Sequence, residues 1–171
     1  MNLSEINKRE KDFHNNLQKN EGRKFESNFY KAIKNMFDDF HAKIKENSFQ
    51  NNILDFGCGI GKNLEAVVNF NPKEITAIDI SDVSIEIAKK NSENFSSKII
   101  FKTGNCESTG LEGEKFDLVY GSGILHHLKL EKAIIEIKRV LKKEGKIVFV
   151  EPLGTNPLIN LYRKLTPGSR S

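Results

Sequence analysis

The sequence has 171 residues, of which 37% are apolar and 29% are charged, a composition typical of one soluble globular domain and not of a disordered chain. No apolar run approaches the ~20 residues of a membrane helix and the N-terminus lacks a signal-peptide core, so we expect a cytoplasmic protein without membrane insertion. The formal net charge of +4 is spread among many acids, which disfavours nucleic acid as a partner, and the two cysteines offer no disulfide framework or metal-ligand spacing.

The first 47 residues are predicted to form an N-terminal helical segment, which we separate from a core domain at residues 48–171. An earlier short helix contains His14, and a longer one carries an apolar stripe at three- and four-residue spacing. We expect the stripe to pack against the core. Its members are Phe25, Phe29, Ile33, Met36, Phe37, Phe40 and Ile44.

Three glycines at alternate positions follow the first apolar run of the core. Glycine allows backbone turns that other residues avoid and lets a ligand approach closely. A strand, a glycine turn and a helix together predict a nucleotide site. The dinucleotide fingerprint and the phosphate loop both require a glycine where this chain has Lys62, so neither pattern fits. Because NAD-dependent oxidoreductases carry the dinucleotide fingerprint, that class of enzyme is a disfavoured alternative. The glycines are Gly57, Gly59 and Gly61.

A second strand, residues 74–80, contains Asp79 near its carboxyl end. An acid about 20 residues beyond a glycine loop can bind both ribose hydroxyls of a nucleoside. The structural alternative is that Asp79 caps the helix that Ser81 begins.

Strands and helices alternate through the rest of the core, which predicts βαβ units. A helix runs from Ser81 to about Asn91, and further strands are predicted at 98–103, 116–120 and 146–150. An amphipathic helix precedes the last strand, and Gly145 is expected to end it in a left-handed cap. Right-handed crossovers then give a Rossmann-like, doubly wound α/β sheet of five parallel strands in the order 3-2-1-4-5, with helices on both faces.

The pattern Asp55-x-Gly57-x-Gly59-x-Gly61, supported by Asp79, resembles the first motif of class I S-adenosylmethionine-dependent methyltransferases. The chain is similar to the group that contains the ubiquinone and menaquinone biosynthesis methyltransferases. The resemblance implies S-adenosyl-L-methionine as the cofactor and a small molecule as the methyl acceptor.

The resemblance also implies roles for individual residues. The three glycines approach the methionine part of the cofactor, Asp79 holds its ribose, and Ile80 packs on its adenine. Asp55 orients the loop, or the cofactor amine through water. Further cofactor-binding residues are Cys58 and Cys106, as packing residues and not nucleophiles, and Ser122 through its backbone.

Two features depart from the family pattern. Asn105 stands where an acidic residue usually accepts a hydrogen bond from the adenine amine, and its side-chain carbonyl can still accept that bond without charge assistance. The family core also ends in an antiparallel hairpin that this sequence does not reach. We therefore expect a C-terminally truncated domain, or one whose exposed fifth-strand edge pairs in a homodimer.

His126 and His127 follow the fourth strand, where the methyl group is expected, and are the candidate catalytic bases. The sequence offers no partner that would orient either ring, so the alternative is that the pair is structural and one ring bonds to the backbone. His14 is a weaker candidate for the base. The segment Lys11–His14 resembles the N-terminal lid of many of these enzymes. We predict methyl transfer by in-line displacement; the alternative is a non-catalytic or truncated cofactor-binding domain.

Overall fold

The computed structural model describes residues 5, 8, 11, 12, 15 and 34–151. His14 and the stripe residues Phe25, Phe29 and Ile33 lie outside this part of the chain. None of the helices within the described residues is long and apolar enough to cross a membrane. The helices are α1 (Lys34–Glu46), α2 (Leu64–Val68), α3 (Asp82–Asn91) and α4 (Leu130–Val140), with a 3-10 turn at Leu125–His127; the strands are β1 (Asn52–Phe56), β2 (Glu74–Asp79), β3 (Ile99–Thr103), β4 (Phe116–Ser122) and β5 (Leu141–Val150).

The strands form one parallel sheet in the order β3-β2-β1-β4-β5, which confirms the predicted fold. β1 lies at the centre, where Asp55 is paired with Ala77 of β2 on one side and with Tyr120 of β4 on the other. Because all the strands are parallel, their carboxyl ends meet at one edge. The winding direction changes between β1 and β4, which is where doubly wound sheets bind ligands.

Both faces of the sheet are buried, so the central strands are nearly continuous apolar runs. Ile53 of β1 belongs to the core that α1 covers, and its neighbour Leu54 belongs to the core beneath α4. The alternation follows from the period of two in a strand. The α1 side includes Phe40, Ile44, Leu64, Ile75, Ile85 and Tyr120; the α4 side includes Phe56, Ile78, Phe116, Ala133, Ile137 and Val140.

The C-terminal half of α1 carries the part of the predicted stripe that the structure describes. Phe40 and Ile44 are buried, and Phe37 packs against the same core. The ring of Phe40 meets Tyr120 edge-on, with centroids 6.2 Å apart. Met36 is 40% exposed and does not join the core.

The boundary between α4 and β5 differs from the prediction. The helix ends at Val140 and the strand begins at Leu141, whose backbone is already extended and pairs with Phe116. Gly145 lies inside β5 without the positive φ of a left-handed cap, so the predicted cap is wrong. The pairing of β5 with β4 shifts register between Leu141 and Lys146, and Lys146 pairs with Leu118. This irregularity accommodates the polar residues 142–145, where we predicted the end of the helix.

Candidate functional site

The glycine loop follows β1 directly and consists of residues 57–61. Gly57, Gly59 and Gly61 have φ angles of +80°, +53° and +79°, in the region that glycine adopts without steric cost. The backbone N–H groups of Gly57 and Cys58 both donate to the Ile78 carbonyl of β2, at 2.9 Å each. The loop is therefore held against the neighbouring strand by its own backbone.

The space around the three glycines differs. A Cβ at Gly57 would lie 2.5 Å from the Ile124 side chain, and one at Gly61 would lie 3.0 Å from Leu64. Within the part of the chain that the structure describes, a Cβ at Gly59 would meet no atom within 4 Å. Neighbouring side chains therefore leave no room for a Cβ at Gly57 and little at Gly61, whereas no described residue fills the space beside Gly59.

Asp79, the last residue of β2, is buried and ties the glycine loop to that strand. Its Oδ2 accepts the Gly59 N–H at 2.8 Å, and its Oδ1 accepts the Ser81 N–H at 2.9 Å. Ser81, and not Asp79, caps α3, because its Oγ accepts the Ser84 N–H at 3.0 Å. The carboxylate thus lies beside the open space at Gly59, and a carboxylate can accept several hydrogen bonds at once.

Asp55 is buried beneath the loop and bonds to β4. The Tyr120 hydroxyl donates to its Oδ2 at 2.8 Å. Burial raises the pKa of Asp55 to about 7; the hydrogen bond from Tyr120 opposes that rise and the nearby charge of Asp79 adds to it. Among the described residues, Tyr120 is the hydrogen-bond partner of the Asp55 carboxyl.

The residues after β2 and β3 extend the same edge of the sheet. Ile80 is half-buried and directly follows Asp79. Asn105 is buried, and its Oδ1 accepts the backbone N–H of Glu107 at 2.8 Å. The Gly104 N–H donates to the Asp79 carbonyl at 2.8 Å, which brings this turn alongside β2.

Cys58 and Cys106 are both free and buried. Burial raises the pKa of each thiol well above its usual value, and the nearby carboxylates of Asp55 and Asp79 raise both further. A buried thiol that resists ionisation is a packing residue and not a nucleophile. No group of three or more histidine, cysteine, aspartate or glutamate side chains within the described residues could hold a metal ion.

The turn after β4 carries the two candidate bases. Ser122 ends the strand, and His126 and His127 lie in the 3-10 turn, with ring centroids 4.0 Å apart and planes inclined by 41°. The His126 Nδ1 lies 2.8 Å from Oε2 of Glu151. The other oxygen of Glu151 accepts the backbone N–H groups of Ile124 and Leu125, at 2.8 and 2.9 Å.

Glu151 is the site residue that the sequence analysis missed. It directly follows β5, and β5 runs parallel to β4, so residues after these two strands meet at the same edge. An acid at the end of the fifth strand was the available signal. Burial opposes its ionisation, but the hydrogen bonds from His126 and the two backbone N–H groups outweigh burial and lower the pKa of Glu151.

The structure thus gathers at one edge the residues predicted from separate motifs. Gly59 bonds to Asp79 directly, and Ile124 of the histidine turn packs on Gly57. The unfilled space beside Gly59 and the buried carboxylate of Asp79 lie at the carboxyl ends of the parallel strands, where doubly wound sheets bind nucleotide ligands.

Comparison with known proteins identifies the family. A profile described as a methyltransferase domain matches residues 54–149. An uncharacterised methyltransferase-like protein of Schizosaccharomyces pombe is 34% identical over 98 residues, which cover 57% of this chain and 37% of that protein. A sterol 4-C-methyltransferase of Caenorhabditis elegans is 30% identical over 148 residues, covering 85% of this chain and 42% of that protein.

The same fold is found in the geranyl diphosphate C-methyltransferase of Streptomyces coelicolor, solved with Mg2+, geranyl diphosphate and S-adenosyl-L-homocysteine. That structure matches with a TM-score of 0.70 at 12% identity and covers 87% of this chain and 65% of its own. The chain spans about two fifths of the length of the curated relatives. The region matched by the methyltransferase profile contains the glycine loop, Asp79 and both candidate bases. The chain belongs to the methyltransferase domain family.

Proposed function

We propose that this chain binds S-adenosyl-L-methionine and takes part in methyl transfer to a small-molecule acceptor. The observation that carries the proposal is the Gly59–Asp79 pair, where a carboxylate and an open space adjoin at the switch point of the sheet. Family membership supports methyl transfer over an oxidoreductase that uses NAD. The acceptor atom, whether oxygen, nitrogen or carbon, stays open.

The residues after β1 and β2 would bind the methyl donor. Gly59 leaves room for its methionine part, Asp79 accepts hydrogen bonds from the ribose, and Ile80 offers an apolar surface to the adenine. Asp55 supports the loop from below through its contact with Tyr120. The remaining members of the predicted set would line the same space: Gly57, Cys58, Gly61, Asn105, Cys106 and Ser122.

The donor supplies an electrophilic methyl carbon, so the protein mainly has to align the acceptor with that carbon and exclude water. His126 and His127 are the proposed bases that would remove a proton from the acceptor. Their turn is held next to the glycine loop by the packing of Ile124 on Gly57.

The N-terminal segment is proposed to close over this site. Asn15 accepts a hydrogen bond from Ser81 Oγ at 2.5 Å and donates one to Asp82 Oδ1 at 2.7 Å. Lys11, one helical turn earlier, lies 3.7 Å from the same Asp82 oxygen. These contacts support a lid that docks just beyond Asp79. If Asn15→Ala leaves both the affinity for S-adenosylhomocysteine and the proteolysis rate of the N-terminal segment unchanged, the lid is wrong.

Two further predictions concern the state of the protein in the cell. β5 is an edge strand of the described sheet and exposes Ile147 at 53%, which supports a homodimer paired through this edge. Light scattering that finds a monomer at micromolar concentration would contradict it. The cytoplasmic location stays a prediction for cell fractionation to test.

The cofactor proposal is tested by calorimetric titration with S-adenosylhomocysteine, with NAD as the competing ligand. Asp79→Asn removes the carboxylate at the site. Asp117→Asn is the matched control, because Asp117 also accepts a backbone N–H, from Asn52 at 2.9 Å, but at the amino end of β4. We expect binding of S-adenosylhomocysteine alone, lost in Asp79→Asn and kept in Asp117→Asn. Binding of NAD, or equal affinity in both variants, would refute the proposal.

A further inference from the structure

Glu151 holds the histidine turn by both of its oxygens. Oε1 accepts the backbone N–H groups of Ile124 and Leu125, and Oε2 lies 2.8 Å from His126 Nδ1. One side chain therefore sets both the backbone of the turn and the direction of one ring. The neighbouring His127 ring lies against the His126 ring, with the two centroids 4.0 Å apart.

The charge of Glu151 decides the tautomer of His126. An ionised carboxylate is only an acceptor, and the low pKa of Glu151 keeps it ionised at neutral pH. The proton of a neutral His126 ring must then sit on Nδ1, which leaves the lone pair on Nε2. That nitrogen makes no hydrogen bond to any other described residue, and the side chain is 39% exposed, so Nε2 can receive a proton from a bound molecule.

The same contacts hold the backbone of the histidine turn next to the glycine loop. Ile124, whose N–H is bound by Glu151, packs against Gly57 of the glycine loop. His126 follows two residues later in the same turn. A change at Glu151 therefore acts on the position of His126 relative to the loop.

We propose that Glu151 is a positioning residue that makes His126 the proton acceptor during methyl transfer. The inference rests on the proposed function and extends it from a candidate pair to one base with its orienting group. The acceptor's nucleophilic atom loses its proton to Nε2 as it bonds to the methyl carbon. The carbon–sulfur bond breaks with its electron pair on sulfur, and the imidazolium that forms is stabilised by the Glu151 carboxylate.

The acceptor class follows from this arrangement. A hydroxyl group or an activated C–H group must lose a proton to become a strong nucleophile, so it benefits from an oriented base. A neutral amine attacks through its own lone pair and loses its proton afterwards. The Glu151–His126 pair therefore favours an oxygen or carbon acceptor.

The test is the tautomer of His126, read from side-chain 15N NMR at a pH where the imidazoles are neutral. Glu151 and His127 are the titratable groups that the described structure places against the ring. Spectra of His126→Gln and His127→Gln assign the signals. In the wild-type chain we expect His126 to carry its proton on Nδ1.

Glu151→Gln keeps the shape of the side chain but replaces one oxygen with an NH2 group. If its remaining oxygen stays on the backbone N–H groups, the amide donates to Nδ1 and the ring must move its proton to Nε2. We expect this inversion in Glu151→Gln and the wild-type spectrum in Glu144→Gln, the control, because Glu144 is exposed on β5. If Glu151 bound only the backbone of the turn and not the ring, the tautomer would be the same in the variant and the wild type.

The outcomes separate this inference from the proposed function. A wild-type His126 with its proton on Nε2 overturns the inference even if Glu151→Gln does not fold, and so does an unchanged tautomer in a folded Glu151→Gln. Neither spectrum needs a donor or an acceptor, so a failure to bind S-adenosylhomocysteine would refute the cofactor proposal without altering them.

Discussion

Replacing Gly59 by alanine adds one methyl group at the point where the structure leaves room for a ligand. The new Cβ would meet no atom of the described residues within 4 Å, unlike one at Gly57, which would lie 2.5 Å from Ile124. The cost to folding that the described residues show is the φ of +53°, about 1 kcal/mol for a residue with a side chain. In a domain of this size that lowers the thermal midpoint by about 2–4 °C.

Binding should respond far more strongly than folding. The methyl group would occupy the space assigned to the methionine part of the donor, so we expect at least a tenfold loss of affinity, or more than about 1.4 kcal/mol. The N–H that Asp79 accepts at 2.8 Å is retained, which separates the steric effect from the loss of that bond.

Gly110→Ala is the matched control. Gly110 has a similar φ of +60°, and a Cβ there would find its nearest neighbour, Lys102 Nζ, at 3.7 Å. Thermal melts and calorimetry with S-adenosylhomocysteine should show two similarly destabilised variants, only one of which has lost binding. Wild-type affinity in Gly59→Ala would refute the assignment of this space, and equal loss in both would make the effect one of folding.

Three other substitutions are expected to change stability in defined directions. The Asp55 carboxyl, with its pKa raised to about 7, binds a proton more tightly in the folded chain than in the unfolded one. The free energy of unfolding of the wild type should therefore fall by up to about 4 kcal/mol as pH rises from about 4 to about 7. Urea unfolding of Asp55→Asn should not show this decrease with pH. The Arg139 guanidinium, against opposing burial, holds the pKa of Glu136 at about 2, so the ionised Glu136 stabilises the fold above about pH 4.5 and this contribution is lost on acidification. Glu136→Gln should therefore lower the free energy of unfolding by about 2 kcal/mol at neutral pH, after allowance for solvent screening at half-exposed Arg139, and by little near about pH 2. A difference between variant and wild type that does not change with pH would contradict this. Gly121→Ala would place a Cβ on β4 2.7 Å from the Phe56 carbonyl oxygen of β1. It should lower the free energy of unfolding by about 2 kcal/mol or more. An unchanged thermal midpoint would show that β1 and β4 can move apart to make room for the methyl group.

The sequence predicted the features that depend on local backbone chemistry. Gly57, Gly59 and Gly61 all have positive φ, and alternating glycines after an apolar run predict such a turn without tertiary information. The strand order followed from the handedness of crossovers and the helix–strand alternation. Asp79 was identified because its distance along the chain from the loop is itself part of the pattern.

Contacts between distant strands could not be predicted. The Asp55–Tyr120 bond joins residues 65 positions apart, and it depends on the exact register of β1 against β4. Glu151 reaches His126 across 25 positions in the same way. The start of β5 at Leu141 was missed because the apolar spacing of α4 continues through that residue, and only pairing with Phe116 makes it a strand.

A crystal structure of the chain grown with S-adenosylhomocysteine tests most directly whether the methyl-donor site lies at this edge of the sheet. We predict the ribose hydroxyls within hydrogen-bonding distance of the Asp79 carboxylate and the homocysteine part beside Gly59. A ligand that makes no contact with Asp79, or that binds away from the glycine loop, would contradict the proposed site.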